Sequence, residues 1–466
     1  MATEAHTTSE TIRVRADRSS LLVGLVAVAV AIAFADSSIV VLALPELYTR
    51  FDATIEGVSW VITAYNAAVA AGALALVLLV HRLRAATVLA SGLLVFTAAS
   101  IGCAAAGSLP FLITARCVQG VGAALLLAGA LPVLTVLTRS VPRGAAVWTL
   151  AGTFGAALGP ALGGAVTEAF GWRAIFAVQA PLAALGLFAV LAARAAPALE
   201  EGWRPSLLRT VPANTCIGLL FGALVGVLFL SVLLVITVWG YSPIAGAGIV
   251  SVLPAATLAA RPLERRLPRV AAVTGGAALL AIGLVALALL PSASVGLVVC
   301  ALTLCGVGLG LSIPLLSQAA LDLGAGLSRS GTLTIGIRHL GLVLAVALIA
   351  PLLASQLPPA GHRAQLKATA VLLDAPIGLT TKIPIALDAR AEFQRAKSGE
   401  IPDLNRPFDK HGAKDDPELA AVRDQLVGAI KDTITRAFRP AFLLSAALAA
   451  AALVVALLFR HRGVVP

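Results

Sequence analysis

No lysine occurs in the first 366 residues of this 466-residue chain, only 12% of its residues are charged, and only 5% are aromatic. So low a charged fraction, beside 59% hydrophobic residues and a mean hydropathy of +0.96, excludes a soluble globular domain and describes a polytopic membrane protein. The formal charge of +11 raises nucleic acid as a partner, but the arginines sit in short clusters between apolar runs without the interleaved aromatics that base stacking needs. No nucleic acid is therefore expected. The five cysteines (Cys103, Cys117, Cys216, Cys300 and Cys305) lie in apolar runs and make no CxxC, so they point to neither a disulfide framework nor a zinc site and are expected to be small core residues. GxxxxGK[ST], HExxH and nucleophile-elbow patterns are missing as well, so neither ATP hydrolysis nor a metal or cofactor is implied. Nor does a cleavable signal pattern open the chain: a polar stretch with Arg13, Arg15 and Arg18 leads directly into an apolar run, which is expected to be a retained first span.

What the chain does have is apolar runs of about 20 residues, the length that crosses a hydrocarbon core. They fall near 20–45, 57–80, 86–106, 110–138, 144–168 and 172–194, and again near 212–238, 243–261, 270–291, 294–319, 330–355 and 438–459. The expected fold is all-α, with about twelve spans in two sets of six. Residues 20–194 form the first set, 195–211 a polar linker, and 212–355 with 438–459 the second; 1–19 and 460–466 are terminal segments.

Short cytoplasmic loops collect Lys and Arg. With the amino terminus inside, the inward loops are HRLR (81–84), TRSVPRG (138–144), the linker, RPLERRLPR (261–269) and the tail RHR (460–462), while the outward loops AAGSLP and PSAS carry no positive charge. Both termini are then expected in the cytoplasm. The stretch 356–437 breaks the pattern, because it is polar, mixed in charge and holds every lysine of the chain. It joins spans eleven and twelve, so the same orientation puts it outside as a cap and as a surface on which an envelope protein could dock. Within it, DPELAAVRDQLVGAIKDTITRAF (416–438) has apolar residues at helical spacing and is expected to form a helix feeding the last span.

Polar residues inside spans are costly in lipid and mark pathways or proton relays. Asp36 stands about 15 Å from the outer end of span one and Arg116 about 10 Å from that of span four, counting 1.5 Å per residue, so their depths allow contact. Such a pair, with hydration that changes between two conformations, can take up and release a proton. Arg338 in span eleven, Asn66 in span two, Gln119 in span four, Gln179 in span six and Gln318 in span ten are further candidates for a substrate cavity, the amides also for interhelical glue. In span five, Gly155, Gly159 and Gly163 recur every four residues and bare one helix face for a neighbour, and Pro160 favours a bend there.

These stretches resemble the major facilitator superfamily, and within it the drug:proton antiporter branch. GAALGPALGG (155–164), followed by GWRAIFAVQAP (171–181), is similar to the antiporter motif of span five, which gives Gly155, Gly159, Pro160, Gly163 and Gly164 a gating role. ADSSIVVLALP (35–45) is similar to the first-span motif and carries over Asp36 as the coupling acid; ARCVQGVGAAL (115–125) matches the span-four motif and carries over Arg116, Gln119 and Gly120. The resemblance implies two six-helix bundles around a central cavity, alternating access, and proton-driven export of a small molecule or lipid, while rare lysine beside arginine and abundant alanine suggest a high-GC bacterial source and hence a bacterial plasma membrane. The sequence departs from the family in the loop after span two, a lock between the halves, where His81 stands in place of an acid and only Arg82 fits. A lipid-linked membrane enzyme using Glu46, Asp52 and Glu56 is one alternative function, and a non-transporting scaffold another.

Overall fold

A lipid-facing backbone has no water to bond with, so its N–H and C=O groups must pair within the segment, and helices do this. The computed structural model describes residues 2–79, 82–192, 207–321, 326–395, 402–413 and 416–459, and among them it is helical throughout, without strands. The first half comprises α1 (Ala2–Val41), the short α2 (Leu44–Arg50), α3 (Ile55–Leu79), α4 (Ala85–Ala104), α5 (Leu109–Thr138), α6 (Val141–Phe170) and α7 (Trp172–Ala192). The second comprises α8 (Leu207–Val232), which ends in a π turn (Leu233–Val238), then α9 (Pro243–Val250), α10 (Val252–Ala259), α11 (Arg261–Glu264), α12 (Arg269–Ala288), α13 (Val295–Ala320), α14 (Leu327–Asp374), α15 (Leu379–Arg395), α16 (Asn405–Lys410), α17 (Pro417–Thr435) and α18 (Arg439–Leu458). Among the described residues eleven helices are long and apolar enough to cross a membrane, or twelve once the bent α6 counts as one span. Most of the linker expected at 195–211, together with His81 and the tail from 460, lies outside the described residues.

Local chemistry starts several of these helices. Ser108 Oγ accepts from Phe111 N and Ser140 Oγ accepts from Arg143 N, each just before a proline in the first turn, where a missing N–H costs nothing. Inside α6, Pro160 cannot donate to Ala156, and the helix parts Val141–Ala156 and Leu158–Phe170 meet at 43°. Ser38 Oγ on α1 approaches the freed Ala156 carbonyl at 3.4 Å. The expected bend in span five is therefore present, with a neighbouring span supplying the donor.

Three of the cysteines, Cys103, Cys216 and Cys305, are buried as expected, but Cys117 and Cys300 are exposed on their helices. An apolar residue gains no more from a helix interface than from lipid, so apolar character alone does not choose a face. The same reason leaves Leu78, Phe170, Phe188 and Leu348 exposed.

Span eleven does not stop near 355. α14 continues for 48 residues, about 72 Å at 1.5 Å per residue, against a hydrocarbon core of about 30 Å. Beyond the core it buries Leu357, Ala360, Ala364, Ala368 and Leu372 at helical spacing against the returning chain. α17 is the helix expected to feed the last span, capped by Asp416, whose Oδ1 accepts from Glu418 N and Leu419 N at 2.9 and 3.3 Å. This cap sits at the end of the bundle opposite the arginine-rich loops. Trp239 Nε1 donates to Thr435 Oγ1 at 3.0 Å, Lys431 Nζ donates to the Trp239 carbonyl at 3.0 Å, and Ala293 N donates to Asp432 Oδ1 at 2.9 Å.

Candidate functional site

Among the described residues two polar constellations lie within the spans. The first is wholly inside the first half. Asp36 on α1 and Arg116 on α5 are both fully buried, with Arg116 Nη1 2.5 Å from Asp36 Oδ2. At that separation the two charges form a close buried ion pair. The guanidinium is held from three further sides: Nε donates to the Val61 carbonyl of α3 at 2.9 Å, Nη1 donates to Gln119 Oε1 at 2.7 Å, and the Tyr65 ring lies 4.2 Å from its carbon. Gln119 Nε2 in turn donates to Ser100 Oγ of α4 at 2.9 Å and to Gln179 Oε1 of α7 at 3.0 Å. Five spans thus meet at one ion pair.

The depth estimate from the sequence is matched here, since Asp36 and Arg116 touch. Gln119 and Gln179 belong to this closed cluster and not to a substrate cavity, which for Gln179 is the interhelical glue that was its alternative reading. Both are buried and neither lines the cavity, because a primary amide with two donors and an acceptor is drawn to the buried ions that need them.

The second constellation borders a central cavity of about 1290 Å³, its open mouth included, between α1 and α6 of the first half and α8, α10, α13 and α14 of the second. Its walls are mostly apolar, with Phe34, Ser37 and Ser38 from α1, Trp148, Thr149, Thr153 and Pro160 from α6, and Phe221, Thr257, Ser317, Thr334 and Arg338 from the second half. Arg338 is at this wall, as expected. Asn66 is buried behind it, where its Oδ1 accepts from Ser37 Oγ at 3.0 Å and lies 2.7 Å from His339 Nδ1. Gln318 is not at the wall: it is exposed, and its neighbour Ser317 faces the cavity, one residue turning about 100° around a helix. Phe34, Phe221 and Trp148 carried no sequence signal as site residues, because aromatic residues within apolar runs look like packing, whereas His339, an ionisable side chain inside a span, did carry one that the reading from sequence missed.

The glycines of α6 divide between two interfaces. A Cβ on Gly155 would strike the Ala31 carbonyl, one on Gly159 would strike Ser38 Oγ, and one on Gly163 would sit 2.6 Å from the Ile39 oxygen. All three face α1 of the same half. Gly164 faces the other half, where a Cβ would overlap Ala247 of α9 and sit 2.8 Å from the Pro243 oxygen. One turn on, Glu168 Oε2 accepts from Ile244 N at 3.0 Å, a hydrogen bond between halves at the cap end. Toward the arginine-rich end the halves meet through α3 and α14, where Asn66 faces His339 and Leu74 packs on Gly336.

Arg82 is exposed in the turn after α3, in keeping with a loop position. Of the acids near the first outer loop, Glu46 is tied to the start of α7, its Oε2 accepting from Trp172 N at 2.9 Å. Burial pushes its carboxyl up from the ordinary range, against the Trp172 N–H and the nearby Arg173 and Arg50. That contact gives Glu46 a structural task between helices. Among the described residues no group of His, Cys, Asp and Glu side chains could hold a metal ion.

Comparison with known proteins gives this geometry a context. A family model described as Major Facilitator Superfamily matches residues 26–348, well over half of the chain. Multidrug resistance protein Stp of Mycobacterium tuberculosis is 33% identical over 161 residues, which is 34% of this chain and 30% of that protein. Drug efflux pump JefA of the same organism is 34% identical over 158 residues, 33% of this chain and 30% of the relative, and the methylenomycin A resistance protein of Streptomyces coelicolor is 33% identical over 155 residues, 33% of each chain. The matched stretch thus spans about a third of the length of these curated relatives. A bacterial homologue of the human lysosomal transporter Spinster, in an inward-facing and unoccupied conformation, superposes with a TM-score of 0.60 at 14% identity, covering 95% of this chain and 98% of its own. A D-xylose–proton symporter superposes with a TM-score of 0.55 at 16% identity, covering 70% of this chain and 88% of its own. At such identities these two show the fold alone.

Proposed function

We propose a function from one premise: the chain belongs to the major facilitator superfamily, a family of transporters rather than enzymes. It is a secondary active exporter of hydrophobic or amphipathic small molecules, driven by proton entry, in which the two halves rock to expose the central cavity to either side in turn. The export direction is supported by the similarity to drug efflux pumps, and the cargo class by the apolar walls of the cavity.

The observation that carries the proton coupling is the placement of Asp36. Its neighbours Phe34, Ser37 and Ser38 line the cavity while Asp36 itself turns into the closed cluster with Arg116. Cargo and acid therefore share one short piece of α1 without touching each other. Movement of α1 along the glycine face of α6 would alter the hydration of the pair and so its hold on a proton. In proteoliposomes, Asp36→Asn is expected to insert, with a lowered melting temperature because Arg116 loses its counter-charge, and to lose transport driven by a pH gradient; transport with unchanged pH dependence would defeat the assignment.

The arginine-rich loops support an orientation with both termini in the cytoplasm of a bacterial plasma membrane, and with 356–437 as an external cap where an envelope protein would meet the transporter. Cysteines introduced singly at Arg82 and Leu379 should be labelled by an impermeant reagent from opposite sides.

A further inference from the structure

We propose that the central cavity is built for amphipathic anions, molecules with an apolar tail and a carboxylate or phosphate head, and that Arg338 is the site for the head. The assignment rests on the reading of this cavity as the transport path and names what travels along it.

Arg338 is the only ionisable side chain among the lining residues, and no carboxylate joins it there. Among the described residues its guanidinium has neither a salt bridge nor a hydrogen bond, and Nε is buried without a partner. Its neighbours are the Phe34 and Phe221 rings, 4.2 and 4.0 Å from the guanidinium carbon, one from each half. Ring faces attract the cation but accept no in-plane hydrogen bonds, so the N–H fork that matches a two-oxygen anion stays unfilled.

The rest of the wall cannot supply the missing charge. Asp36 is spent on Arg116 outside the lining, so it leaves no free negative charge nearby. The hydroxyls of Ser38, Thr153, Thr257 and Thr334 already donate to backbone carbonyls, leaving Arg338 as the strong unfilled donor. An isolated cation at an apolar wall is unfavourable until a counter-charge arrives, so the empty cavity favours an anion and rejects a second cation. Around that point the walls are Val41, Leu224, Leu228, Leu253, Ile313 and Leu342, which suit an alkyl tail.

The test uses the full chain in nanodiscs of zwitterionic lipid, with empty nanodiscs as baseline. A dansyl-labelled undecanoate serves as fluorescent probe, displaced by four compounds that share a ten-carbon tail: decanoate, monodecyl phosphate, decyltrimethylammonium and decanol. The two anions are expected to displace it at concentrations about tenfold or more below the cation, as one charge-assisted bond would give. Whichever anion is stronger identifies the head. Arg338→Gln should erase the anion preference while leaving decanol competition in place, and Arg338→Lys should keep the preference. A cation that competes as well as the anions, or an Arg338→Gln protein that still prefers anions, would overturn the proposal. Should Arg338→Gln fail to fold, the head-group series on the unaltered protein with Arg338→Lys still decides. Anion binding without flux under a pH gradient would instead sink the exporter reading and leave the site intact, whereas proton-driven flux of decyltrimethylammonium with no anion preference would do the reverse.

Discussion

In the first half of the molecule five spans enclose a charge together with its partner, whereas in the second half a single span brings a charge to the edge of an open cavity and leaves it unpaired. Arg116 and Arg338 are the same residue type inside the same kind of helix. The first is tied to Asp36, the Val61 carbonyl and Gln119, so its charge is already balanced although its Nη2 is buried without a hydrogen-bond partner. The second has only two ring faces. What the difference teaches is that a buried ion in a membrane can be part of the frame or part of the cargo site, and that its counter-charge decides which.

The sharpest way to break the comparison is to remove each arginine and compare the damage. Arg116→Leu leaves Asp36 buried without a counter-charge, a change that costs about 3–5 kcal/mol when one partner of a buried pair is lost. A large fall in the melting temperature and in the yield of monodisperse protein is expected. The double replacement Asp36→Asn with Arg116→Gln should recover most of it. Arg338→Gln should leave the melting temperature near that of the unaltered protein, or raise it, since an unfilled cation is removed. Equal losses at both positions would erase the distinction.

The glycines of α6 sharpen the same contrast between frame and moving parts. Gly155→Val drives a side chain into the Ala31 backbone within one half, and overpacking of that kind costs about 1–3 kcal/mol. Gly164→Val meets Ala247 across the two halves, which part in the proposed transport cycle. The expected outcome is a less stable protein for Gly155→Val, and a stable one with impaired transport for Gly164→Val. Melting curves and counterflow measurements on the two variants check this. A smaller effect is expected from Asn66→Ala, which removes the bond to His339 across the halves. A loss of about 1 kcal/mol would move the balance between conformations roughly fivefold, readable as a changed rate of cysteine labelling in the cavity.

How much of this was legible beforehand depended on whether the sequence signal and the structural cause were the same thing. The spans were legible because hydropathy reports the solvent around a helix. Asp36 with Arg116 was legible because depth along two helices fixes whether side chains can meet. The glycine face of α6 was legible from its period of four, although the different partner of Gly164 was not, since no period tells one neighbour from another. Hydropathy failed for α14, which crosses from lipid into the cap at constant helical geometry and passes through Pro358 and Pro359 while Leu357, Ala360, Ala364 and Ala368 keep their face. It could not choose between cavity and interhelical glue for Gln179 and Gln318, nor place Gln119, because an amide inside a span costs the same wherever it faces. The role of His339 emerged only from the fold, which sets it against Asn66 from 273 residues away.

The smallest expected effect lies in the cap, where charge pairs stand in water and the contrast with the buried ions is greatest. Asp388 on α15 is held by Lys410 Nζ at 2.9 Å and His411 Nε2 at 3.0 Å, at the end of α16. The hydrogen bond from Lys410, and then that from His411, keeps its carboxyl below the usual carboxylate range. A carboxyl held low in the folded state binds its proton less readily there than in the unfolded chain, so its contribution is complete above the ordinary carboxylate range of about 4 and is lost as pH falls through the lowered folded value. Amides at the end of α16, compared with the intrinsic exchange rate at each pH, should therefore be less protected in acid than at neutral pH, and Asp388→Asn should show the lower protection at both. Because the pair is exposed, added salt should shrink the difference between variant and parent at neutral pH, whereas the Arg116→Leu defect, shielded from ions by five spans, should not respond to salt.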